Sequence, residues 1–304
     1  MGILASLSLR YKRAVKAKAF EARRVFVQAL RSYGAPQLSC VLRSLGIASG
    51  DSVMLHSAFA PHYGFRGSIE QLIDLFIDAV GPRGNLLMVS LPYRSSSLEY
   101  LSQGKTFDVR KTPSMMGMVS EMFRRRGDVL RSLHPSHPVL VRGPKASWFV
   151  GDHHLCSFPC GPGTPFGKLA EVSGKAVFFN VPFATYTMFH YLEHLVSPRL
   201  PFPLYADEPF NVSVIDAEGR ERIVTTYAFA LETIRRRRFA LFEDALRQRG
   251  LIAERRIGNG SVLAVRVGDT IDCAREMADR GQLFYDLDEP GTHSRNSSHS
   301  RAAR

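Results

Sequence analysis

The sequence is poor in cysteine and has no long hydrophobic run. Its 304 residues include only four cysteines, too few for a disulfide framework, and this scarcity is typical of a reducing compartment. No apolar stretch approaches the roughly 20 residues that a membrane-spanning helix requires, so we expect a cytoplasmic protein. A chain of this length with 45% hydrophobic residues can bury a sizeable core without metals or cross-links.

Several widespread motifs are also absent. The sequence contains neither the glycine-rich dinucleotide-binding fingerprint nor a P-loop. It also lacks the G-x-S-x-G elbow that carries the nucleophile of many serine hydrolases. Nucleotide binding by those two routes and serine hydrolysis on that elbow therefore have no support in the sequence.

The net charge of +12 is concentrated at the two ends of the chain. Residues 1–31 carry eight Lys or Arg against Glu21, with apolar residues between them. We predict a basic amphipathic helix over residues 1–33, for which three roles remain open. It packs on the core as a solvated helix, contacts an anionic membrane surface, or binds nucleic acid, a role for which no recognition motif is present. Residues 289–304, rich in Ser, His and Arg, are predicted to be disordered.

Hydrophobic patterning predicts one layered α/β domain over residues 34–288. Ser52–Ser57 and Asn85–Leu91 have the composition of strands. Between them, Ser68 is the expected N-cap of a helix that runs through Ala79. This β-α-β order predicts a single domain with a central mixed β-sheet flanked by helices.

The second half of the domain is predicted to contain a hairpin and a long helical stretch. The turn Asp216–Gly219 separates two short strands, and residues 229–250 have the pattern of one helix. Four consecutive arginines, Arg235–Arg238, lie inside it. Because they would cover all sides of a helix, we expect most of them to be solvated, with an anion site as the alternative. Residues 93–113 are predicted to be a long polar loop.

Histidine is concentrated in the middle of the chain, where eight of the ten histidines lie between His56 and His194. Because the imidazole has an ordinary pKa near 7, this clustering points to one working surface. His190 and Glu193 are three residues apart, a spacing that places them on one face of a helix. A carboxylate there would fix the tautomer of the imidazole, and the pair is a plausible general base. A purely structural contact is the alternative from spacing alone.

A second group of residues suggests a zinc site. His153 and His154 precede Cys156 and Cys160 at a spacing that zinc tolerates. No second pair of ligands follows elsewhere in the sequence, and buried thiols beside a structural histidine explain the segment better. We therefore expect no metal, and a zinc hydrolase remains a distant alternative.

Taken in order, short segments of the chain resemble the aminoglycoside 3-N-acetyltransferase family. Single segments are weakly specific, but their shared order and spacing over residues 38–200 carry the resemblance, which is looser in the C-terminal third. The matching segments are Gly50–Ser57, Ala79–Gly84, Phe107–Asp108, Thr112–Gly117, Arg131–Pro135, Gly143–Pro144, His153, Gly163–Pro165, Gly174–Ala176 and Thr187–Glu193.

The resemblance implies acetyl transfer from acetyl-CoA, as a cosubstrate, to an amine of an amino sugar. It implies that His190 is the base and that Glu193 orients it. It further implies two sets of binding residues on the same cleft. The CoA-binding set is Ser57, Ala58, Phe59, Ser114, Met115 and Arg131, and the substrate-binding set is His56, His134 and Thr187.

Two departures from the family pattern bear on the acceptor. Tyr186 stands where the family often has Asn, and Pro138 stands where it often has Ser. The central part of the chain is also nearly balanced in charge, whereas a site for a polycationic drug would benefit from a strongly acidic cleft. We therefore favour a nucleotide- or lipid-linked amino sugar of surface polysaccharide assembly as the acceptor. Aminoglycoside antibiotics are the next alternative, and a non-catalytic membrane- or nucleic-acid-binding protein on the same fold is the alternative of another class.

Overall fold

The computed structural model describes residues 31–287 continuously. Before them it describes seven helical positions at residues 18, 22, 25–27, 29 and 30. Residues 1–17 of the predicted basic helix and the whole predicted tail over residues 289–304 lie outside the described residues.

The strands form two sheets. A seven-stranded sheet has the order β4-β5-β2-β1-β6-β10-β9, and a three-stranded sheet has the order β3-β7-β8. The strands of the described residues are β1 (Ser52–Ser57), β2 (Asn85–Val89), β3 (Phe107–Asp108), β4 (Leu130–Arg131), β5 (Val139–Arg142), β6 (Lys175–Phe179), β7 (Phe210–Ile215), β8 (Glu221–Thr226), β9 (Ala253–Ile257) and β10 (Gly260–Arg266).

The large sheet is mixed, as the sequence predicts. Strand β1 pairs in parallel with both β2 and β6, whereas β5, β4, β10 and β9 join in antiparallel pairs. In the small sheet, β7 and β8 form the predicted hairpin, and β3 adds to β7 in parallel.

Helices cover both faces of the large sheet. Alternate side chains of β1 separate the two layers: Val53 and Leu55 face one core, and Met54 faces the other. The helices of the continuous described range are α1 (Ala35–Ser44), α2 (Ile69–Val80), α3 (Ser97–Leu101), α4 (Met118–Arg124), α5 (Ala146–Val150), α6 (Pro165–Glu171), α7 (Phe189–Val196), α8 (Leu231–Arg236), α9 (Phe239–Gln248) and α10 (Val267–Asp279).

The β1-α2-β2 unit shows how local sequence sets this layering. Ser68 caps α2 by accepting a hydrogen bond from the backbone of Gln71, whose side chain accepts one from the Ser68 backbone in return. The helix then buries Leu72, Phe76 and Val80 against the sheet. Cap and apolar stripe agree, so the predicted start of the helix matches the structure.

Two predictions of local structure are wrong. The predicted polar loop over residues 93–113 contains α3 and β3, whose apolar side chains pack with the small sheet. The predicted single helix over residues 229–250 is two helices, because Arg237 adopts an extended conformation, with φ −56° and ψ 130°. The break lets Arg237 form a β-bridge with Tyr285 near the end of the described chain.

No helix within the described part of the chain is both long enough and apolar enough to cross a membrane.

Candidate active site

The site lies where the central strands end. Strands β2 and β6 flank β1 on opposite sides, and the helices that follow β1 and β6 pack on opposite faces of the sheet. Open α/β sheets form their ligand-binding crevice at such a point. The backbone N–H of Ala58, just after β1, donates to the carbonyl of Phe179 at the end of β6, at 2.9 Å. The segment after β1 is thereby fixed at the edge of the crevice.

Helix α7 brings His190 and Glu193 together as predicted. Nδ1 of His190 lies 2.7 Å from Oε2 of Glu193. The carboxylate is completely buried, whereas the imidazole keeps 22% of its side-chain surface exposed. One partner is therefore an interior anion, and the other is accessible to a ligand.

Two further side chains hold the Glu193 carboxylate. Arg237 donates from Nε to Oε1 at 2.5 Å and from Nη2 to Oε2 at 2.9 Å, the two-pronged geometry that suits a carboxylate. The Tyr285 hydroxyl donates to Oε1 at 2.6 Å. Burial alone would raise the pKa of Glu193, but the positive charge of Arg237 and the bond from His190 hold that pKa below its usual value. Glu193 is therefore ionised at neutral pH.

This arrangement fixes the state of His190. An ionised carboxylate only accepts hydrogen bonds, so Nδ1 of His190 carries a proton and Nε2 carries the lone pair. Burial lowers the pKa of His190 below its ordinary value, although the bond to Glu193 opposes the shift. The ring packs against Phe229 and His137, with centroids 4.8 and 5.8 Å away. A neutral imidazole with a free Nε2 lone pair is the form that a general base requires.

Three other histidines lie in the interior behind His190. Nδ1 of His134 accepts from the backbone N–H of His137 at 3.1 Å, and its ring stacks on His153 with centroids 4.4 Å apart. His153 donates from Nε2 to the carbonyl of Pro159 at 3.0 Å, and its Nδ1 accepts from Ser132 at 2.8 Å. All three rings are buried, and burial lowers their pKa values, that of His153 to about 3. They are neutral and are engaged with protein groups.

The predicted CoA-binding residues after β1 lie at the crevice. Ser57, Ala58 and Phe59 are each partly exposed. A cavity of about 400 Å³ opens beside Phe59, and its other lining residues include Arg66. This cavity is large enough to accept part of a drug-sized ligand.

The remaining predicted CoA-binding residues are less accessible to a ligand or are already hydrogen-bonded to other protein groups. Ser114 is buried, with its hydroxyl 2.8 Å from that of Ser120, whereas Met115 is partly exposed. The Arg131 guanidinium donates to the backbone carbonyls of Thr112 at 2.5 Å and Ser90 at 2.8 Å. These bonds make Arg131 a brace between loops in this structure.

The predicted substrate-binding residues are all buried. His134 is 0% exposed, so its predicted direct contact with a substrate does not fit its position. His56 is 5% exposed and stacks on Phe178 at 5.0 Å, and Nε2 of His56 has no hydrogen-bond partner. Thr187 is 9% exposed, two residues before α7.

The two residues that depart from the family pattern, Tyr186 and Pro138, are both buried. The hydroxyl of Tyr186 lies 2.8 Å from that of Thr270 in the interior. The Pro138 carbonyl accepts from the backbone of Ser90 at 2.9 Å. Tyr186 is 2% exposed, and its ring packs against Phe178 and Phe183.

Comparison with known proteins settles the family. The aminoglycoside 3-N-acetyltransferase profile matches residues 54–279, which are most of the chain and include His190, Glu193 and Arg237. The chain belongs to this family.

Relatives within the family are distant in sequence. Aminoglycoside N(3)-acetyltransferase IX of Micromonospora chalcea is 24% identical over 185 residues, which are 57% of this chain and 66% of that relative. Aminoglycoside N(3)-acetyltransferase VII of Streptomyces paromomycinus is 27% identical over 167 residues, 51% of this chain and 58% of that relative. The chain thus spans less than two thirds of the length of these curated relatives.

Solved structures of the family share the fold. The crystal structure of aminoglycoside acetyltransferase AAC(3)-Xa superposes with a TM-score of 0.73 at 21% identity, covering 86% of this chain and 98% of that one. The AAC-IIIb binary complex with CoASH gives a TM-score of 0.68 at 23% identity, covering 85% of this chain and 99% of that one. A mixed α/β domain of this family is therefore established for the chain.

Within this family fold, two site residues escape sequence reasoning. Arg237 and Tyr285 lie 44 and 92 residues from Glu193, so no helical or strand spacing connects them with it. The only sequence signal is the run of four arginines, most of which we expected to be solvated. Arg235 and Arg238 are exposed, whereas Arg237 is the exception and carries the cation that balances Glu193.

The zinc alternative finds no support in the geometry of its proposed ligands. His153 has both ring nitrogens engaged in hydrogen bonds, and Cys160 is buried. Among residues 31–287 no group of three or more His, Cys, Asp or Glu side chains is arranged to hold a metal ion.

Proposed function

We propose that the protein transfers an acetyl group from acetyl-CoA to an amine of an amino sugar. The single observation that carries this proposal is His190, with Nδ1 held by a buried carboxylate and Nε2 free on the partly exposed side. Membership of the acetyltransferase family supports the reaction class.

In the proposed reaction, Nε2 of His190 takes a proton from the acceptor amine as its nitrogen attacks the thioester carbonyl. The new C–N bond forms, the C–S bond breaks, and the proton is returned from the imidazolium to the leaving thiolate. Ionised Glu193 stabilises the imidazolium while it exists, because it accepts the Nδ1 hydrogen bond throughout. General-base help of this kind typically accelerates a reaction by about 10²–10⁴-fold.

We propose that acetyl-CoA, the donor, binds in the crevice beside β1. We place its arm along Ser57, Ala58 and Phe59, where these residues are partly exposed and border a cavity of about 400 Å³. Arg66 in the cavity lining offers a positive charge for phosphate. The solved AAC-IIIb structure with CoASH supports CoA as the cosubstrate of this fold.

For the acceptor we propose a nucleotide- or lipid-linked amino sugar of surface polysaccharide assembly. The basic segment over residues 1–31, with eight Lys or Arg, would then hold the enzyme at an anionic membrane surface where such acceptors are processed. Aminoglycoside antibiotics are the second candidate, favoured by the family and by solved relatives in complex with gentamicin and apramycin.

Two measurements test this function. Acetyl-CoA at 100 times its dissociation constant is expected to stabilise the protein by about 2.7 kcal/mol, seen as a higher Tm.

His190→Asn keeps a donor for Glu193 but removes the base, so kcat should fall about 10²–10⁴-fold. His154→Gln, a change at a partly exposed histidine outside this network, is the matched control. Acetyl-CoA binding with an unchanged kcat in His190→Asn would exclude His190 as the base. Absence of acetyl-CoA binding would favour a non-catalytic protein.

A further inference from the structure

A row of aromatic side chains extends from His190 toward the surface. The buried ring of Phe229 lies 4.8 Å from His190 and stacks on Tyr205 at 5.2 Å. Tyr205 lies 4.7 Å from Phe158, which in turn stacks on Tyr227 at 5.3 Å. We call Phe158, Tyr205 and Tyr227 the aromatic wall. It is continuous, ring by ring, with the proposed base.

The aromatic wall is accessible where a ligand would meet it. Phe158 is 41% exposed, and Tyr205 and Tyr227 are partly exposed, whereas the connecting ring of Phe229 is buried. The hydroxyl of Tyr205 bonds to Nδ1 of His194 at 2.9 Å, which fixes both side chains. Phe158 is the third ring along the row from His190, and its exposed face is available to stack on a ligand.

The charges beside His190 balance each other, and the two carboxylates that follow Tyr205 in the chain are solvated. Glu193 is the carboxylate in contact with His190, and Arg237 balances it. Arg237 also lies over the ring of Phe229, 5.1 Å from its centroid. Asp207 and Glu208 follow Tyr205 in the chain, and both are exposed. The charges that act on His190 are those of Glu193 and Arg237, which oppose each other, so a polycation gains little from the base itself.

We propose that the aromatic wall binds the acceptor as an amino sugar with a single amine, whose apolar ring face or planar attachment stacks on Phe158 and Tyr227. This inference rests on the proposed acetyl transfer and names its substrate class. Aromatic faces favour apolar rings and, weakly, one ammonium group. Polycations gain most of their affinity from fields of carboxylates, which are not found beside His190 in the described part of the chain.

The test compares two acceptor classes and two variants. We expect p-nitrophenyl glycosides of mono-amino sugars to have a higher kcat/KM than gentamicin. The kcat/KM of the glycosides should change by less than about twofold between about 50 and 500 mM salt, because no long-range attraction between charges is involved. Phe158→Ala should raise the acceptor KM by about five- to tenfold, with kcat nearly unchanged. Trp148→Ala, also at a 41% exposed aromatic residue, should leave KM unchanged.

Two results would overturn the proposal. One is equal behaviour of Phe158→Ala and Trp148→Ala. The other is a preference for gentamicin that falls steeply with salt and with the double change Asp207→Asn and Glu208→Gln. Calorimetric binding of the glycosides to the same variants needs no turnover, so it decides on the aromatic wall even where acetyl transfer fails. Loss of transfer in the wild type with wall-dependent binding would refute the proposed reaction alone. Far-ultraviolet circular dichroism and Tm confirm that each variant is folded.

Discussion

His190 and the three histidines behind it are the same residue type in one cluster, yet their surroundings differ in two respects. His190 contacts a carboxylate and keeps 22% of its side chain exposed. His134, His137 and His153 contact hydroxyls, backbone groups and one another, and are at most 2% exposed.

This difference explains why His190 can act as a base, whereas the other three histidines have a structural role. An imidazole that accepts a proton needs a counter-charge for the cation and a path to the ligand. The interior three have no carboxylate contact among the described residues, and burial holds their pKa values far down. They support the back of the site as neutral hydrogen-bonding rings. Clustering of histidines in the sequence therefore locates the site without saying which of them acts.

The largest expected effect comes from removing the carboxylate that distinguishes His190. In Glu193→Gln, an amide oxygen at the Oε1 position would still accept from Nε of Arg237 and from Tyr285, whereas the N–H₂ at the Oε2 position would face Nδ1 of His190 and Nη2 of Arg237. The ring would then have to accept at Nδ1 and carry its proton on Nε2, so no lone pair would be left for the amine. We expect kcat to fall about 10²–10⁴-fold, measured as initial rates with acetyl-CoA.

The Glu193→Gln experiment needs two controls. Leaving Arg237 buried without its anion costs about 3–5 kcal/mol, so Tm must be recorded to show that the assay contains folded protein. Asp216→Asn removes another buried carboxylate held by arginines, in the β7–β8 turn, and should leave kcat unchanged. A Glu193→Gln enzyme with kcat within tenfold of the wild type would show that the carboxylate does not set the state of His190.

Much of the fold and part of the site could be predicted from local sequence. The β1-α2-β2 unit is determined by neighbouring residues: a capping box at Ser68, an apolar stripe on α2 and two apolar strands. The His190–Glu193 contact is likewise a property of helix geometry, because three residues make nearly one turn.

The part that escaped prediction depends on contacts between distant segments. Arg237 reaches Glu193 only because the chain leaves the helical conformation there and pairs with Tyr285. The helical pattern on both sides of the arginine run hides that break. The burial of His134 and the bracing role of Arg131 are tertiary properties too, and the residue types alone do not distinguish them from ligand contacts.

A second, smaller effect should appear in stability rather than in rate. The pKa of His153 is lowered to about 3 in the folded protein, against about 6.5 when unfolded. As the pH falls below 6.5, the unfolded chain binds a proton at His153 that the folded protein does not. The free energy of unfolding should therefore fall by about 1.4 kcal/mol per pH unit for this residue.

His153→Asn removes that proton uptake, so urea unfolding at pH 7, 6 and 5 should show a shallower loss of stability than in the wild type. The same series on His190→Asn should change the slope less, because His190 is partly exposed and its carboxylate partner opposes the shift. Equal slopes for the wild type and His153→Asn would show that His153 is protonated in the folded state. The distinction between interior and working histidines would then fail.

The smallest expected effect on catalysis concerns Arg237, although its removal leaves Glu193 buried without its cation and should lower the Tm as Glu193→Gln does. Arg237 lowers the pKa of His190 by charge repulsion, so its removal in Arg237→Gln should raise that pKa. Because the base must be neutral, the acid limb of the kcat–pH profile should move to higher pH, whereas Arg237→Lys should stay closer to the wild type. A purely structural role would lower kcat or Tm without moving the limb. A limb that moved to lower pH would mean that Glu193 had lost its charge together with its partner, since a neutral carboxyl no longer favours the imidazolium. The direction of the shift therefore shows which of the two buried groups Arg237 chiefly controls.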